Sequence, residues 1–558
     1  MLYRKYLKKS DFTSYEDFVE NYEVVYPNTF NFGYDVVGEY AKISPSKIAL
    51  VWCNEDDTEQ YTFTFFELDL MVNRCANFLR AMGINKGDKV MLLLKRRYEY
   101  WFLLPALHKI GAIAIPANHM LTKKDIVYRA NAVNIKCIIA WHQGRIIDEI
   151  NSALDQCPSI EHLIMVGGTE NGWISYNENI QNYSPEYARP VNTDQDTTAT
   201  DLMLMYFTSG TTGLPKVVAH DFSYPLGHIT TGVYWHNVVD NGLHISVADT
   251  GWAKAAWGKI YGQWLGGTAN FVYDYERFNG AEMLRLLEKY KVTTFCAPPT
   301  LLRYLIHEDL SKYDLSNLKY CTTAGEPLNP EVYNSFLKST GLQIHEGFGQ
   351  TETSVCVANF PWVAPRPGSI GMPTPGYNVT IINENDEECE VGEEGELSFN
   401  TARGIPRGLF VEYYNDKEIT ERAWHDGFYR TGDMAWKDED GYIWFVGRGD
   451  DLIKTSGYRV GPFEVESALI EHAAVIECAV TGVPDEQRGQ IIKATIVLHK
   501  NFTPSEELVK ELQEHVKKTT APYKYPRIIE FVEELPKTIS GKIKRADIRK
   551  QDNTNQQK

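Results

Sequence analysis

Several short stretches of this chain carry residue types that handle phosphate. The first is Tyr206-Phe207-Thr208-Ser209-Gly210-Thr211-Thr212-Gly213-Leu214-Pro215-Lys216, which follows the apolar run 202–207. Glycines let backbone amides approach phosphate oxygens, hydroxyls add donors, and the lysine adds charge. It is not a Walker A loop, because Pro215 precedes the lysine and Val217 follows it. Taken alone, it is equally a flexible Ser/Gly loop. The second stretch is Gly347-Phe348-Gly349-Gln350-Thr351-Glu352-Thr353. A lone carboxylate beside hydroxyls suits magnesium, which takes one or two carboxylates plus substrate oxygens. The third pairs Tyr429-Arg430-Thr431-Gly432-Asp433 with Gly447-Arg448-Gly449-Asp450. An Asp at a strand-edge turn can accept ribose hydroxyls. The fourth, Pro536-Lys537-Thr538-Ile539-Ser540-Gly541-Lys542, lies in a basic C-terminal segment. Singly, the last three are also compatible with an exposed turn, a Gly-Asp turn and a solvated charge run.

These residues need a frame, and the apolar pattern predicts one. Leu68, Met71, Val72, Cys75, Leu79 and Met82 have helical spacing, and Gly83 stops the helix. The apolar run 90–94 predicts a buried strand, 100–110 a helix, and 112–116 a second strand. The rhythm recurs at 137–140, 163–166, 293–297 and 320–323. Strands alternating with helices predict α/β architecture with largely parallel sheets. From about 368 to 449, short strands spaced by Gly, Asn and Asp predict a small β-rich subdomain. Beyond Asp450 the chain restarts with helix 462–471, strands 475–482 and 491–498, and helix 505–519. That predicts a compact C-terminal domain over 450–558, after a large N-terminal domain over 1–449.

The whole composition narrows the function. The chain has 558 residues, 43% of them hydrophobic, which allows three or four folding units at about 150 residues each. A net charge of −18 with no long Lys/Arg tract argues against a nucleic-acid platform. The nine cysteines include no CxxC pair, so neither zinc nor a disulfide framework is suggested, and scattered thiols fit a reducing compartment. The most apolar tract, 90–117, is interrupted by Lys95, Arg96, Arg97, Glu99, His108 and Lys109, so no membrane insertion is expected. The first residues show no apolar h-region and no Arg/Ser-rich amphipathic presequence, so a cytoplasmic enzyme is expected.

In order and spacing, the four stretches together with Gly325-Glu326-Pro327 and the block Ser456-Gly457-Tyr458-Arg459 resemble the adenylate-forming (AMP-binding) superfamily. The resemblance runs from about residue 35 to 550, and the wording at 456–466 and 521–527 is most similar to medium-chain acyl-CoA synthetases. It implies an N-terminal domain of stacked mixed sheets with helices and a mobile C-terminal domain hinged at Asp450. It further implies a ligase using ATP, Mg²⁺ and coenzyme A to make acyl-CoA through acyl-AMP, in fatty-acid metabolism. Thr208 to Lys216 would cradle the β- and γ-phosphates, Thr351 would bond the α-phosphate, and Glu352 would hold the metal. Gly325, Glu326, Pro327, Glu346, Gly347 and Phe348 would line adenine beside Gly349 and Gln350, while Asp433 and Arg448 would grip the ribose. Lys542 would bridge carboxylate and α-phosphate, then give way to the loop of Ser456, Gly457, Tyr458 and Arg459 for thioester formation. Arg459 would contact the acyl-AMP phosphate, and Arg488, Lys517 and Tyr525 would touch CoA.

The acid pocket implied by the resemblance involves Trp235, Lys254, Trp257, Cys296 and Gly349. Acetate-specific relatives carry a bulky Trp where this chain has Gly349, so the pocket is expected to extend beyond two carbons. The tryptophans would keep it short and wide, for propionate-to-octanoate, branched or aryl acids. The Lys254 amine is expected to reach solvent, with a pocket cation as the sharper alternative. His228, His236 and His244 are expected to be structural. Two other functions stay open: a stand-alone adenylation enzyme loading a carrier protein, and a non-catalytic acyl or nucleotide sensor. The oligomeric state is also open, a homodimer among the options.

Overall fold

The computed structural model describes residues 1–208, 215–456, 458–485, 487–537 and 543–556, with side chains as far as 552. The expected residues 209–214, Gly457 and Lys542 lie outside that set.

The fold is α/β, and three sheets organise it. In the eight-stranded sheet, Lys89–Leu93 lies between Ile113–Pro116 and Cys137–Trp141, parallel to both. At one end of this sheet Leu202–Thr208 turns back antiparallel to Lys216–Asp221, with Thr208 opposite Lys216. The Ser/Thr/Gly stretch is therefore the connection of a hairpin whose two ends are held by the ladder. Helix Phe65–Ala81 starts from a capping box of Thr64 and Glu67, which satisfies orphan amides at its first turn. Helix Tyr100–Ile110 ends at Gly111, whose φ of +74° closes the turn toward the next strand.

The second sheet is built on a parallel core of Ile48–Cys53, Ala269–Tyr273, Leu243–Ser246, Thr294–Cys296, Tyr320–Ala324 and Ile344–Phe348. Its two faces differ. Ile245, Phe271, Phe295 and Cys321 form an apolar layer with Leu284 and Leu287 of helix Gly280–Lys289 and Leu302 of helix Pro299–Ile306. The alternate residues His244, Ser246, Asn270, Thr294 and Thr322 are polar and equally buried. That second face takes the segment bearing Trp235 and Trp257.

The β-rich stretch does not stand apart as a separate sheet. Val357–Ala358 and Ser369–Pro373 continue the parallel core antiparallel, and Ile443–Arg448, Phe428–Lys437, Gly395–Asn400 and Val379–Ile382 extend the same ladder. Strand Ser369–Pro373 makes the join because it is paired along both edges.

The third sheet contains Tyr458–Val460, Ile453–Thr455, Gly489–Leu498 and Val475–Asp485, with Ile528–Phe531 beside Gly489–Leu498. Helices Pro462–Ile470 and Glu506–Thr519 bury Val465, Leu469, Leu508, Leu512 and Val516 in its core. Among the described residues, no helix is long and apolar enough to cross a membrane.

Candidate active site

The join in the second sheet gathers three of the four stretches. Strand Phe428–Lys437 places Asp433 opposite Arg448 of Ile443–Arg448, and the Arg448 guanidinium lies 3.5 Å from the Asp433 carboxylate. Gln350, in the turn after Ile344–Phe348, donates through Nε2 to Asp433 Oδ2 and, at 2.8 Å, to the Thr431 carbonyl. Its Oε1 accepts from the Tyr429 hydroxyl at 3.0 Å. Both ends of the amide are therefore used, and the orientation of Asp433 is set before any ligand arrives. Arg448 also reaches Asp450 at 3.5 Å, which links the cluster to the expected hinge.

Glu352 sits on the other side of the same turn. Its Oε1 accepts from the buried Tyr413 hydroxyl at 2.7 Å, and Lys216 Nζ lies 4.8 Å from the centre of the Tyr413 ring. Tyr413 thus spaces the loop lysine from the carboxylate. A single buried carboxylate, fixed at one oxygen by the tyrosine that also carries Lys216, fits magnesium, which prefers to keep most of its ligands as substrate oxygens and water. Thr351 is held by its carbonyl, which accepts from His220 Nε2 at 2.9 Å. Burial pushes the His220 pKa down to about 3, so the ring is neutral with its proton on Nε2. Tyr413, Tyr429 and His220 were not among the expected residues. Tyr429 opens a motif that pointed to Asp433 and could have been weighed with it. Nothing in the sequence marks Tyr413 or His220.

Among the residues expected beside adenine, Gly325 has a φ of +101°, a conformation that favours glycine. Glu326 Oε2 accepts from the Thr300 hydroxyl at 2.7 Å, and Pro327 follows in the same turn. Leu328 N donates to Glu346 Oε1 at 3.1 Å. Burial raises the Glu346 carboxyl to about 8, so it is neutral at pH 7 and acts on the loop from behind as a hydrogen-bonding group. Phe348 packs on Phe445.

Two close glycine–tryptophan contacts shape the expected acid pocket. A Cβ on Gly347 would lie 2.5 Å from the Trp235 ring, and one on Gly349 would lie 2.3 Å from the Trp257 ring. Trp257 donates to the Thr353 carbonyl at 3.1 Å, and Trp235 to the His345 carbonyl at 3.2 Å. The space beside Gly349 is therefore occupied by the Trp257 ring. Cys296 is buried on the strand beside Ser246. Lys254 also departs from expectation. Its amine turns inward and donates to the Ala324 carbonyl, beside Gly325. His228, His236 and His244 bond to the hydroxyls of Thr231, Thr322 and Thr294, and burial lowers the pKa of each.

The C-terminal residues lie elsewhere. Ser456, with φ of +51°, donates its amide to the Arg488 carbonyl at 3.0 Å. Tyr458 stacks on Tyr523 at 4.1 Å, and Arg459 pairs with Glu384 at 2.6 Å. Lys517 lies over the Tyr525 ring at 4.3 Å. In this arrangement Arg459 is therefore engaged by Glu384 rather than by the Gln350–Asp433 cluster.

A strand-borne lysine, a fixed Gln350–Asp433–Arg448 cluster and a lone buried carboxylate lie together in an α/β protein with an appended smaller sheet. Residues 38–410 match the AMP-binding enzyme family and residues 464–542 its C-terminal domain, so the chain belongs to that family. It is 39% identical to mouse (Mus musculus) mitochondrial acyl-coenzyme A synthetase ACSM3, over 99% of this chain and 96% of the relative. It is 41% identical to human (Homo sapiens) mitochondrial acyl-coenzyme A synthetase ACSM4, over 94% of this chain and 91% of the relative. Among solved structures, the anthranilate CoA ligase AuaEII in complex with anthranoyl-AMP superimposes with a TM-score of 0.87 at 29% identity, covering 96% of this chain and 99% of that one. An acyl-CoA synthetase of Brucella canis gives 0.74 at 32% identity, covering 98% and 100%. The relatives' names overturn the expected cytoplasmic location, since ACSM3 and ACSM4 are both named mitochondrial.

Proposed function

We propose that this protein is an ATP-dependent acid–CoA ligase. The carrying observation is that Gln350 keys Asp433 and Arg448 on one side of the turn while Tyr413 keys Glu352 to Lys216 on the other. Such a pair of fixed groups suits ribose and polyphosphate at once. In the first step a carboxylate oxygen attacks the α-phosphorus of ATP, the bond to the β-phosphate breaks, and pyrophosphate leaves. In the second, the CoA thiol loses its proton and attacks the acyl carbon, and AMP departs with the carboxyl oxygen. Repulsion between carboxylate and phosphates makes the first step dependent on cations already in place. Lys216 and Lys542 supply charge, Thr351 bonds the α-phosphate, and Glu352 would hold magnesium, which neutralises the phosphates when bound.

Residues 450–558 act as the mobile domain in this reading, turning at Asp450. Lys542 serves adenylation, while Ser456, Gly457, Tyr458 and Arg459 serve thioester formation, with Arg488, Lys517 and Tyr525 toward CoA. The position of Trp257 against Gly349 favours short, branched or aryl acids over long straight ones. We extend the relatives' mitochondrial location to this chain, to be checked by cell fractionation.

The test is AMP release from ATP across short, medium, branched and aryl acids, with and without CoA. Release that needs both an acid longer than acetate and CoA supports the ligase. Acid-dependent pyrophosphate exchange without CoA-dependent AMP release would indicate a carrier-loading enzyme, and silence with every acid would indicate a sensor.

A further inference from the structure

The last helix, Arg545–Gln556, begins three residues after Lys542. It docks through buried Ile548 against Ala479 and Leu535. Arg545, Arg549 and Asp552 follow one another at helical spacings of four and three, so they share a face. Asp552 pairs with buried Lys493. Arg545 grips Glu466 with Nη2 2.8 Å from Oε1 and 2.7 Å from Oε2. The Glu466 side chain is only 7% exposed, and its Oε1 also accepts from Val480 N at 2.8 Å. These contacts lie within the C-terminal sheet and its helices.

Arg549 does something else. It pairs with Asp451, whose other carboxylate oxygen is 3.9 Å from Arg545. Asp451 follows the expected hinge residue directly, and its amide donates to the Arg448 carbonyl at 3.0 Å. Arg448 in turn faces Asp433 and Asp450. Two sets of ion pairs, Arg448 with Asp433 and Asp450 and Asp451 with Arg549 and Arg545, are therefore joined across the hinge by one backbone bond, and the second set ends on the helix that follows Lys542 in sequence.

We propose that Asp451 and Arg549, backed by Arg545 and Glu466, form a positioning clamp that transmits hinge rotation to the segment carrying Lys542. The proposal rests on the reading of Lys542 as the adenylation cation. Without the clamp, helix Arg545–Gln556 is tied less firmly to the hinge, and Lys542, three residues before it in sequence, is delivered less accurately to the attacking carboxylate. Misplacement by about 1 Å can cost a reaction on the order of 100-fold. The Asp451 side chain is 17% exposed, so the pair is less screened than a fully solvated one.

The full-length protein tests this with R549M, D451N, R549K and K542A. Acid-dependent pyrophosphate exchange reads adenylation, and thioester formation from supplied acyl-AMP and CoA reads the second step. R549M and D451N are expected to cut exchange by about 10- to 100-fold and to leave thioester formation within about twofold. R549K, which keeps the charge, is expected to recover part of the loss, with Tm nearly unchanged in all. Equal loss of both steps together with a fall in Tm would make the pair merely structural and overturn the clamp. Unchanged exchange in R549M and D451N would overturn it as well. If K542A abolishes exchange while R549M does not, the clamp alone fails. If K542A leaves exchange intact, the reading of Lys542 fails and takes the clamp with it.

Discussion

The residues proposed for the nucleotide and those proposed for CoA are built differently. Asp433, Glu352, Tyr413 and Tyr429 are buried and hydrogen-bonded to one another or through Gln350. Tyr458 and Arg459 are exposed and rest on Tyr523 and Glu384. Groups that must meet charge at a fixed place gain from being held there in advance, because no reorganisation is left for the moment of reaction. Groups that arrive by domain rotation must be able to leave their resting partners, so strong buried pairs would hinder them. The contrast matches a division of labour between a rigid half and a delivered half.

The rigid half should be the easier to break. Glu352→Gln keeps the shape but removes the charge, and it is expected to lower kcat by about 10²- to 10³-fold. Excess chelator should do the same to the wild-type protein. Activity within fivefold of wild type, measured as acid- and CoA-dependent AMP release, would remove Glu352 from the metal site. Gln350→Ala comes next. It strips a partner from Asp433 and from the Tyr429 hydroxyl, and orphaned buried groups cost about 1–3 kcal/mol each. The expected outcome is a rise of about 10- to 100-fold in the KM for ATP with a smaller change in kcat. A KM that does not move would show that Asp433 holds its place without the amide.

The acid pocket offers a test of a different kind. Gly349→Ala forces a methyl to within 2.3 Å of where the Trp257 ring now lies, and overpacking of this sort costs about 1–3 kcal/mol. Trp257→Ala removes the ring from that clash and leaves only the Ser354 carbonyl at 2.7 Å, so the double variant should lose less Tm than the sum of the two single ones. Trp257→Ala should also widen the range of acids accepted. Strict additivity, or an unchanged acid profile, would separate Trp257 from the pocket.

Much of this was legible in the sequence because the motifs sit at strand ends that apolar runs announce. The motifs name Asp433 and Arg448, for instance, and strands Phe428–Lys437 and Ile443–Arg448, meeting antiparallel, set the two opposite each other. What stayed hidden came from register and packing. Tyr413 approaches Glu352 only because strand Glu412–Tyr413 adds to the edge of Lys216–Asp221, a pairing that two residues cannot signal. Gly349 looked like open space because a missing side chain says nothing of what fills its place. Lys254 looked solvated because residue type alone does not show that a carbonyl waits inward.

Glu346 gives the rigid half a pH signature. Its carboxyl rises from 4.5 to about 8 through burial. The folded state therefore keeps a proton that the unfolded state releases, and stability from this group falls as pH climbs from about 4.5 to about 8. Glu346→Gln keeps the bond from Leu328 N and removes the titration. The Tm loss between about pH 6 and pH 8.5 should shrink in the variant, whereas an identical loss in both proteins would place the carboxyl in an ordinary ionised state.

The smallest effect is expected in the delivered half, at Glu384. Arg459 and Glu384 are 42% and 82% exposed, so water and salt screen their attraction and such pairs contribute about 0–1 kcal/mol. Glu384→Ala should leave Tm and pyrophosphate exchange unchanged. If the pair holds Arg459 away from the nucleotide site, freeing it raises the population able to make thioester by at most about fivefold, the factor that 1 kcal/mol allows. The gain should appear in thioester formation from supplied acyl-AMP and shrink as salt rises, because added ions already weaken the pair in the wild-type protein. A loss of adenylation in Glu384→Ala would reverse the comparison, since it would mean that the exposed pair holds the rigid half together.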